Sequence, residues 1–142
     1  MEKIKLRAVI DSEYFNNPPY LRISIGEDVL TDLPVTEEIV IEKELLVEDE
    51  KQYKLNFTLH DKSKYDTVVE DGKIIKDTVV KIKQIELDDV DITSMLSINQ
   101  DSFYYVYNDL PEKHTFYDTM GVNGTSTIEF TTPFYVWLLE NL

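Results

Sequence analysis

Apolar and polar residues change places every second position through much of this chain. Ile4, Leu6, Ala8 and Ile10 alternate with Lys5, Arg7 and Val9. Leu21, Ile23 and Ile25 alternate with Arg22 and Ser24, and Tyr53, Leu55, Phe57 and Leu59 alternate with Lys54, Asn56, Thr58 and His60. A period of two puts one set of side chains on each face of an extended strand, so each run predicts a half-buried strand. Breakers stand between them: Phe15-Asn16-Asn17-Pro18-Pro19, Gly26-Glu27-Asp28 and Leu33-Pro34. Proline cannot donate to a ladder, while Asn and Gly accept turn conformations.

The run from Glu37 to Val47 has helix-forming Glu, Lys and Leu, but Ile39-Val40-Ile41 is stiff and β-branched, which favours a strand. From Asp77 to Leu87 the apolar phase slips: Val80 and Ile82 share one parity, Ile85 and Leu87 the other. A β-bulge between Lys83 and Ile85 would restore the buried face. Asp88-Asp89-Val90-Asp91 then reads as a turn. Residues 101–118 read as an aromatic loop containing Phe103, Tyr104, Tyr105, Tyr107, Phe116 and Tyr117. The turn Gly121–Gly124 precedes a strand with Ser126, Ile128 and Phe130 on one face. After Pro133, the stretch Phe134–Leu139 is apolar on both faces, which predicts a fully buried strand or a subunit contact. No segment sustains a 3.6-residue apolar period. The fold class is therefore all-β: one antiparallel β-sandwich, jelly-roll-like, of about eight to ten strands, spanning residues 1–142 as a single domain.

Charge narrows the partners. With 14 basic and 28 acidic residues among 142, the net charge is −14. Such a surface repels phosphate backbones and anionic lipid, so neither nucleic acid nor membrane is an expected partner. There is no cysteine, which excludes disulfides and thiolate metal sites. Met1–Arg7 has no apolar core and no cleavage site of a signal peptide, so synthesis in a cytoplasm is expected. The metalloprotease, P-loop, dinucleotide-binding and nucleophile-elbow motifs are all missing, and the chain is not expected to be an enzyme. Of the two histidines, His60 stands next to Asp61. Adjacent strand residues point to opposite faces, so His60 is expected to face solvent by itself.

Two features point to binding. Asp61, Asp66, Asp71 and Asp77 fall within one strand–loop–strand unit, and Asp88, Asp89 and Asp91 follow at the next turn. Calcium takes six to eight oxygens and accepts them from flexible loops, while aspartate also serves ordinary turns. The aromatic residues Tyr65, Tyr104, Tyr105 and Tyr107 are the candidate ligand or partner contacts, because three tyrosines in four positions cannot all face inward.

The run Tyr53–Lys62, then Asp66-Thr67, then Lys76–Asp88 resembles the middle of small carbohydrate-binding-module-like jelly rolls, where a strand ends near an acidic loop and another leads to an Asp-Gly turn. Asp89 stands here in the glycine's place. The resemblance implies a non-catalytic glycan-binding module. Some of these modules hold calcium in a loop, which makes Asp61, Asp66 and Asp77 the implied metal ligands. Gly121–Thr125 and Thr132–Leu142 are also similar to uncharacterised proteins of marine tailed phages. That likeness implies an accessory protein of the virion, with glycans or other virion proteins as partners and a homo-oligomer as the expected state. The alternative it leaves is a purely structural protein that decorates the capsid or self-associates.

Overall fold

A computed structural model describes residues 1–116 and 118–141; Tyr117, from the aromatic stretch, and Leu142, the closing residue, lie outside the described residues. The strands run in the order β1 (Glu2–Glu13), β2 (Tyr20–Ile25), β3 (Asp28–Pro34), β4 (Ile39–Val47), β5 (Gln52–His60), β6 (Val68–Glu70), β7 (Lys73–Lys76), β8 (Val79–Leu87), β9 (Val90–Asp91), β10 (Phe103–Tyr107), β11 (Lys113–Thr115), β12 (Thr119–Met120) and β13 (Gly124–Thr131). A helix, α1 (Phe134–Asn141), follows. One sheet has the order β12-β8-β1-β4, with β9 also on β8. The other has the order β11-β10-β13-β5-β2-β3, and the β6–β7 hairpin pairs with neither. All pairings are antiparallel. The all-β sandwich is as expected. The strand number exceeds the expected eight to ten because short edge pieces such as β9 and β12 carry too few residues to show a period.

The alternating residues supply the core. Ile4, Leu6, Ala8 and Ile10 of the first sheet and Leu21, Ile23, Leu55, Phe57 and Leu59 of the second are all buried. Removing a side chain of this size from water contributes about 1.5–3 kcal/mol. The bulge lies where the phase slip predicts it. Ile10 pairs with Ile82 and Val9 with Gln84, so Lys83 has no opposite residue and Ile85 and Leu87 regain the core.

Two expectations are corrected. Phe134–Leu139 is the first part of α1, not a strand: Phe134, Trp137 and Leu138 are buried while Tyr135, Val136 and Leu139 are exposed. That spacing of three and four is helical, but six apolar residues are too few to separate the two periods. The buried rings close the core edge, with Phe134 and Trp137 against Phe130, and Trp137 against Phe103. Nor is the aromatic stretch a loop. β10 lies inside the six-stranded sheet between β11 and β13. Among the described residues, no helix is long and apolar enough to cross a membrane.

β10 also dictates the residue opposite it. A Cβ on Gly124 would overlap the Val106 carbonyl oxygen and lie 2.9 Å from Tyr107 Cα. Backbone cannot yield as a side chain can. Gly124→Ala should therefore destabilise the fold by about 1–3 kcal/mol in urea unfolding; an unchanged midpoint would show that β10 and β13 do not approach this closely.

Candidate functional site

The chemistry-bearing residues gather where β5 leaves the core. Leu59 is buried, His60 ends the strand, and Asp61 takes a φ of 62°. Aspartate tolerates this left-handed conformation better than most residues. The turn swings the Asp61 carboxylate back over its neighbour, so that Oδ2 lies 2.7 Å from His60 Nδ1. His60 Nε2 lies 2.7 Å from Asp32 Oδ1, and Arg22 Nε donates to Asp32 Oδ2 at 3.1 Å. His60 therefore bridges two carboxylates and does not stand alone in solvent. The opposite-face rule applies within a strand, and the strand stops at His60. Burial pushes the Asp32 carboxyl up, but hydrogen bonds and charge from His60 and Arg22 outweigh it and hold the group below the ordinary aspartate range.

The next residue turns inward. Lys62 Nζ donates to Asp77 Oδ1 at 2.6 Å and to the Gly121 carbonyl at 2.5 Å. Its backbone N–H and C=O are matched by the side-chain amide of Asn123 at 3.0 and 2.8 Å. Asp77 Oδ1 also accepts from Thr67 Oγ1 at 2.6 Å and from the Thr78 N–H at 2.8 Å. Burial raises the Asp77 pKa, yet the bonds from Lys62, Thr67 and Thr78 together bring it below the usual value.

Ser63 then caps a single 3₁₀ turn, Lys64–Asp66. Asp66 Oδ2 accepts the Ser63 N–H at 2.8 Å and its hydroxyl at 3.3 Å, closing a capping box. Asp66 is only 6% exposed, and its Oδ1 has no partner among the described residues. Thr78, 1% exposed, has a hydroxyl in the same condition. Both residues line one pocket of about 230 Å³. Asn17, Pro18, Pro19 and Tyr20, from the segment entering β2, line it too, together with Asp61, Lys62 and Ser63. Tyr20 lines it with an exposed ring, and two further exposed rings belong to adjoining segments: Tyr65 on the capped turn, and Phe15 on the β1–β2 loop, which Asn16 Nδ2 ties to the Tyr65 carbonyl at 3.2 Å. Lys64 Nζ sits 5.2 Å from the Tyr65 ring centroid and Lys76 Nζ 5.7 Å from that of Phe15, within cation–π range.

Of the residues singled out in the sequence, Asp61 and Asp66 share the pocket and Tyr65 stands beside it. Asp77 does not line it, because Lys62 holds its carboxylate. Among the described residues no three His, Asp or Glu side chains converge as a ready metal cluster. Tyr104 and Tyr105 are buried and Tyr107 half-buried, and none lines the pocket. Lys113 Nζ covers the Tyr104 ring at 4.2 Å; burial, then the Glu129 charge, pushes its hydroxyl up to about 12. Tyr105 points into the core with its hydroxyl on the Val122 backbone, and burial pushes it up to about 12. Tyr107 stacks on His114 at 4.3 Å. Asp88 and Asp91 serve turns, accepting from the Lys5 N–H and from Thr93.

Thr78, Asn17, Phe15 and Tyr20 carry weaker sequence signals. Asn16-Asn17-Pro18-Pro19 reads as a strand breaker, and nothing local shows that it folds over the acidic loop 40 to 60 positions later, at Asp61, Asp66 and Thr78. A cleft of about 370 Å³ on the outer face of the first sheet is lined by Lys5, Arg7, Glu42, Glu44 and Glu86. Its central Arg7 is already matched by Glu42 at 3.6 Å and Glu86 at 3.9 Å, so it presents no unmet polar group comparable to Asp66.

No protein-family model and no curated protein matches the sequence. Two solved structures resemble the fold. One is the selenomethionine form of vCBM60, described under a circular-permutation link between two families of calcium-dependent carbohydrate-binding modules. It shares 12% identity over 88% of this chain and 89% of its own, with a TM-score of 0.51. The other is vCBM60 in complex with galactobiose, at 8% identity over 87% and 96% of the two chains, also with a TM-score of 0.51. At these identities the likeness establishes the fold: this chain has the β-sandwich of carbohydrate-binding modules.

The Lys62–Asp77 pair generates two expectations. The Lys62 side chain is 9% exposed and Asp77 26%, so the ammonium suffers more when its partner is removed. Asp77→Ala should cost about 3 kcal/mol in urea unfolding, and Lys62→Met about 1 kcal/mol, because Asp77 can turn to water. Equal losses would contradict this order. Because the Asp77 pKa is depressed on folding, its stabilisation is complete above the unfolded value near 4 and disappears as pH falls through the folded one. The acid limb of stability against pH should accordingly be shallower in Asp77→Asn.

Proposed function

We propose that this chain is a non-catalytic glycan-binding module that takes its ligand at the loop end of the sandwich. One observation carries the reading: Asp66 and Thr78, each with a buried side-chain oxygen that has no partner among the described residues, line one pocket together with the exposed ring of Tyr20. An unmet buried polar group costs about 1–3 kcal/mol, and a ligand that supplies the missing bond recovers it. Sugars offer hydroxyls for such groups and a flat face for rings such as Tyr65, while a few polar groups set orientation. The fold of carbohydrate-binding modules supports the same reading. His60, the imidazole nearest the pocket, has both ring nitrogens engaged by Asp61 and Asp32, which leaves no ring nitrogen to exchange a proton with a ligand.

Calcium fits the pocket's donors. Asp61, Asp66 and Thr78 are hard oxygen ligands, and a buried carboxylate oxygen without a partner is what a cation completes. A bound ion would neutralise the carboxylates of Asp61 and Asp66. Asp77 stays outside the set because the Lys62 ammonium occupies it. On the sequence resemblance, we place the module on a phage particle as an accessory protein, where a purely structural role is the competing reading.

The metal is tested by thermal unfolding of EDTA-stripped protein with and without millimolar Ca²⁺. Binding to the folded state alone adds about 2.7 kcal/mol at a hundredfold excess over Kd, and the rise in Tm should vanish in Asp66→Asn. An unchanged Tm overturns the calcium assignment. Glycan binding is tested by affinity electrophoresis on a panel of neutral polysaccharides together with galactobiose titration. Tyr65→Ala should weaken binding about tenfold, or about 1.4 kcal/mol, with no change in Tm. Retention of nothing in the panel would favour a self-associating structural protein.

A further inference from the structure

We propose that the Asp66 pocket accepts the ammonium group of an amino sugar, so that the glycan this module prefers carries free amines. The proposal rests on the glycan reading above and adds the charge of the ligand. Charge matching comes first. Asp61, Asp66 and Lys62 line the pocket, and the Lys62 ammonium is already neutralised by Asp77. The carboxylates of Asp61 and Asp66 are left over; Asp61 Oδ2 also lies 2.7 Å from His60 Nδ1, and Asp66 Oδ1 is buried with no partner among the described residues. The lining therefore carries a net negative charge, suited to a cation.

Hydrogen-bond number agrees. A primary ammonium donates three bonds and accepts none. The lining residues Asp61, Asp66 and Thr78 carry acceptors for them, and Asp66 Oδ1 and Thr78 Oγ1 have no partner among the described residues. Calcium would have to add water to reach six to eight oxygens, whereas an ammonium is satisfied by the acceptors present. Size agrees too. At about 230 Å³ the pocket falls below the roughly 300–1,000 Å³ of sites that enclose a whole small molecule. It suits one substituent of a sugar, with the ring left outside against Tyr20, Tyr65 or Phe15. The net charge of −14 attracts a polycationic glycan and repels uronic or sulfated ones. Calcium and the amine share one cation chemistry, and they should compete.

The test titrates a fully deacetylated glucosamine hexamer and its N-acetylated counterpart into the protein at mildly acidic pH and physiological salt, in EDTA and then in Ca²⁺. The amine form should bind at least tenfold more tightly in EDTA and lose affinity as Ca²⁺ is added. Thr78→Val, which removes only a hydroxyl without a partner, should fold normally and lose at least fivefold in affinity for the amine form. Asp66→Asn should lose more. Asp71→Asn, in the β6–β7 turn and outside the pocket, should lose nothing. Equal affinity for the two hexamers overturns the proposal and leaves the glycan reading in place. Failure of the amine hexamer to bind overturns it whatever the neutral panel shows. An equal loss in Asp71→Asn would mean diffuse charge attraction and overturns it as well.

Discussion

An ammonium drawn largely out of water must be neutralised where it lies, and this requirement decides how the loops of the sandwich meet. Lys62 is the residue concerned. Its Nζ joins Asp77, just before β8, to the Gly121 carbonyl, just after β12, while Asn123 clasps its backbone from both sides. Three stretches distant in sequence are thus locked at one end of the molecule. Lys62 is held inward, Ser63 caps the 3₁₀ turn, and Asp66 lines the pocket with only one of its two oxygens matched among the described residues. The clamp also explains the division of labour among aspartates that look alike in sequence. Asp77 is structural, Asp66 is left available, and Asp61 stands between the pocket and His60.

The sandwich contributes rigidity. β5 is inside its sheet, between β13 and β2, with Leu55, Phe57 and Leu59 buried, so the point at which His60 and Asp61 emerge is set by core packing and not by the loop. Pro18 and Pro19, with φ fixed by their rings, also line the pocket. A stable protein normally hydrogen-bonds its buried polar atoms. Here Asp66 and Thr78, which line one pocket, each keep one buried oxygen without a partner among the described residues. A ligand that supplied the missing bonds would recover the cost of leaving those oxygens unmet.

Most of the fold was legible because strands leave a local signature. The alternation at Ile4–Ile10 and Tyr53–His60, and even the Lys83 bulge, follow from which side each residue must face. α1 was not legible, because Phe134 to Leu139 is apolar at nearly every position and erases its own period. β10 was hidden by aromatic residues on both faces: Tyr105 enters the core, while Tyr104 is covered by Lys113 and Glu129 on the outer side. The site was legible in part. An acidic loop containing Asp61 and Asp66 beside Tyr65 is visible in the chain. Which aspartate Lys62 would take, and that Asn17–Tyr20 would close over Thr78, depend on contacts between residues tens of positions apart.

The location of the site is tested most directly by amide chemical-shift mapping on ¹⁵N-labelled protein, with galactobiose and the glucosamine hexamer as probes. The account predicts that saturable shifts gather at Asn17, Tyr20, Asp61 to Asp66 and Thr78, with the core strands unmoved. Shifts centred on the outer face of the six-stranded sheet, at Arg22, Asn56 and Thr127, would contradict it, as would the absence of any saturable shift.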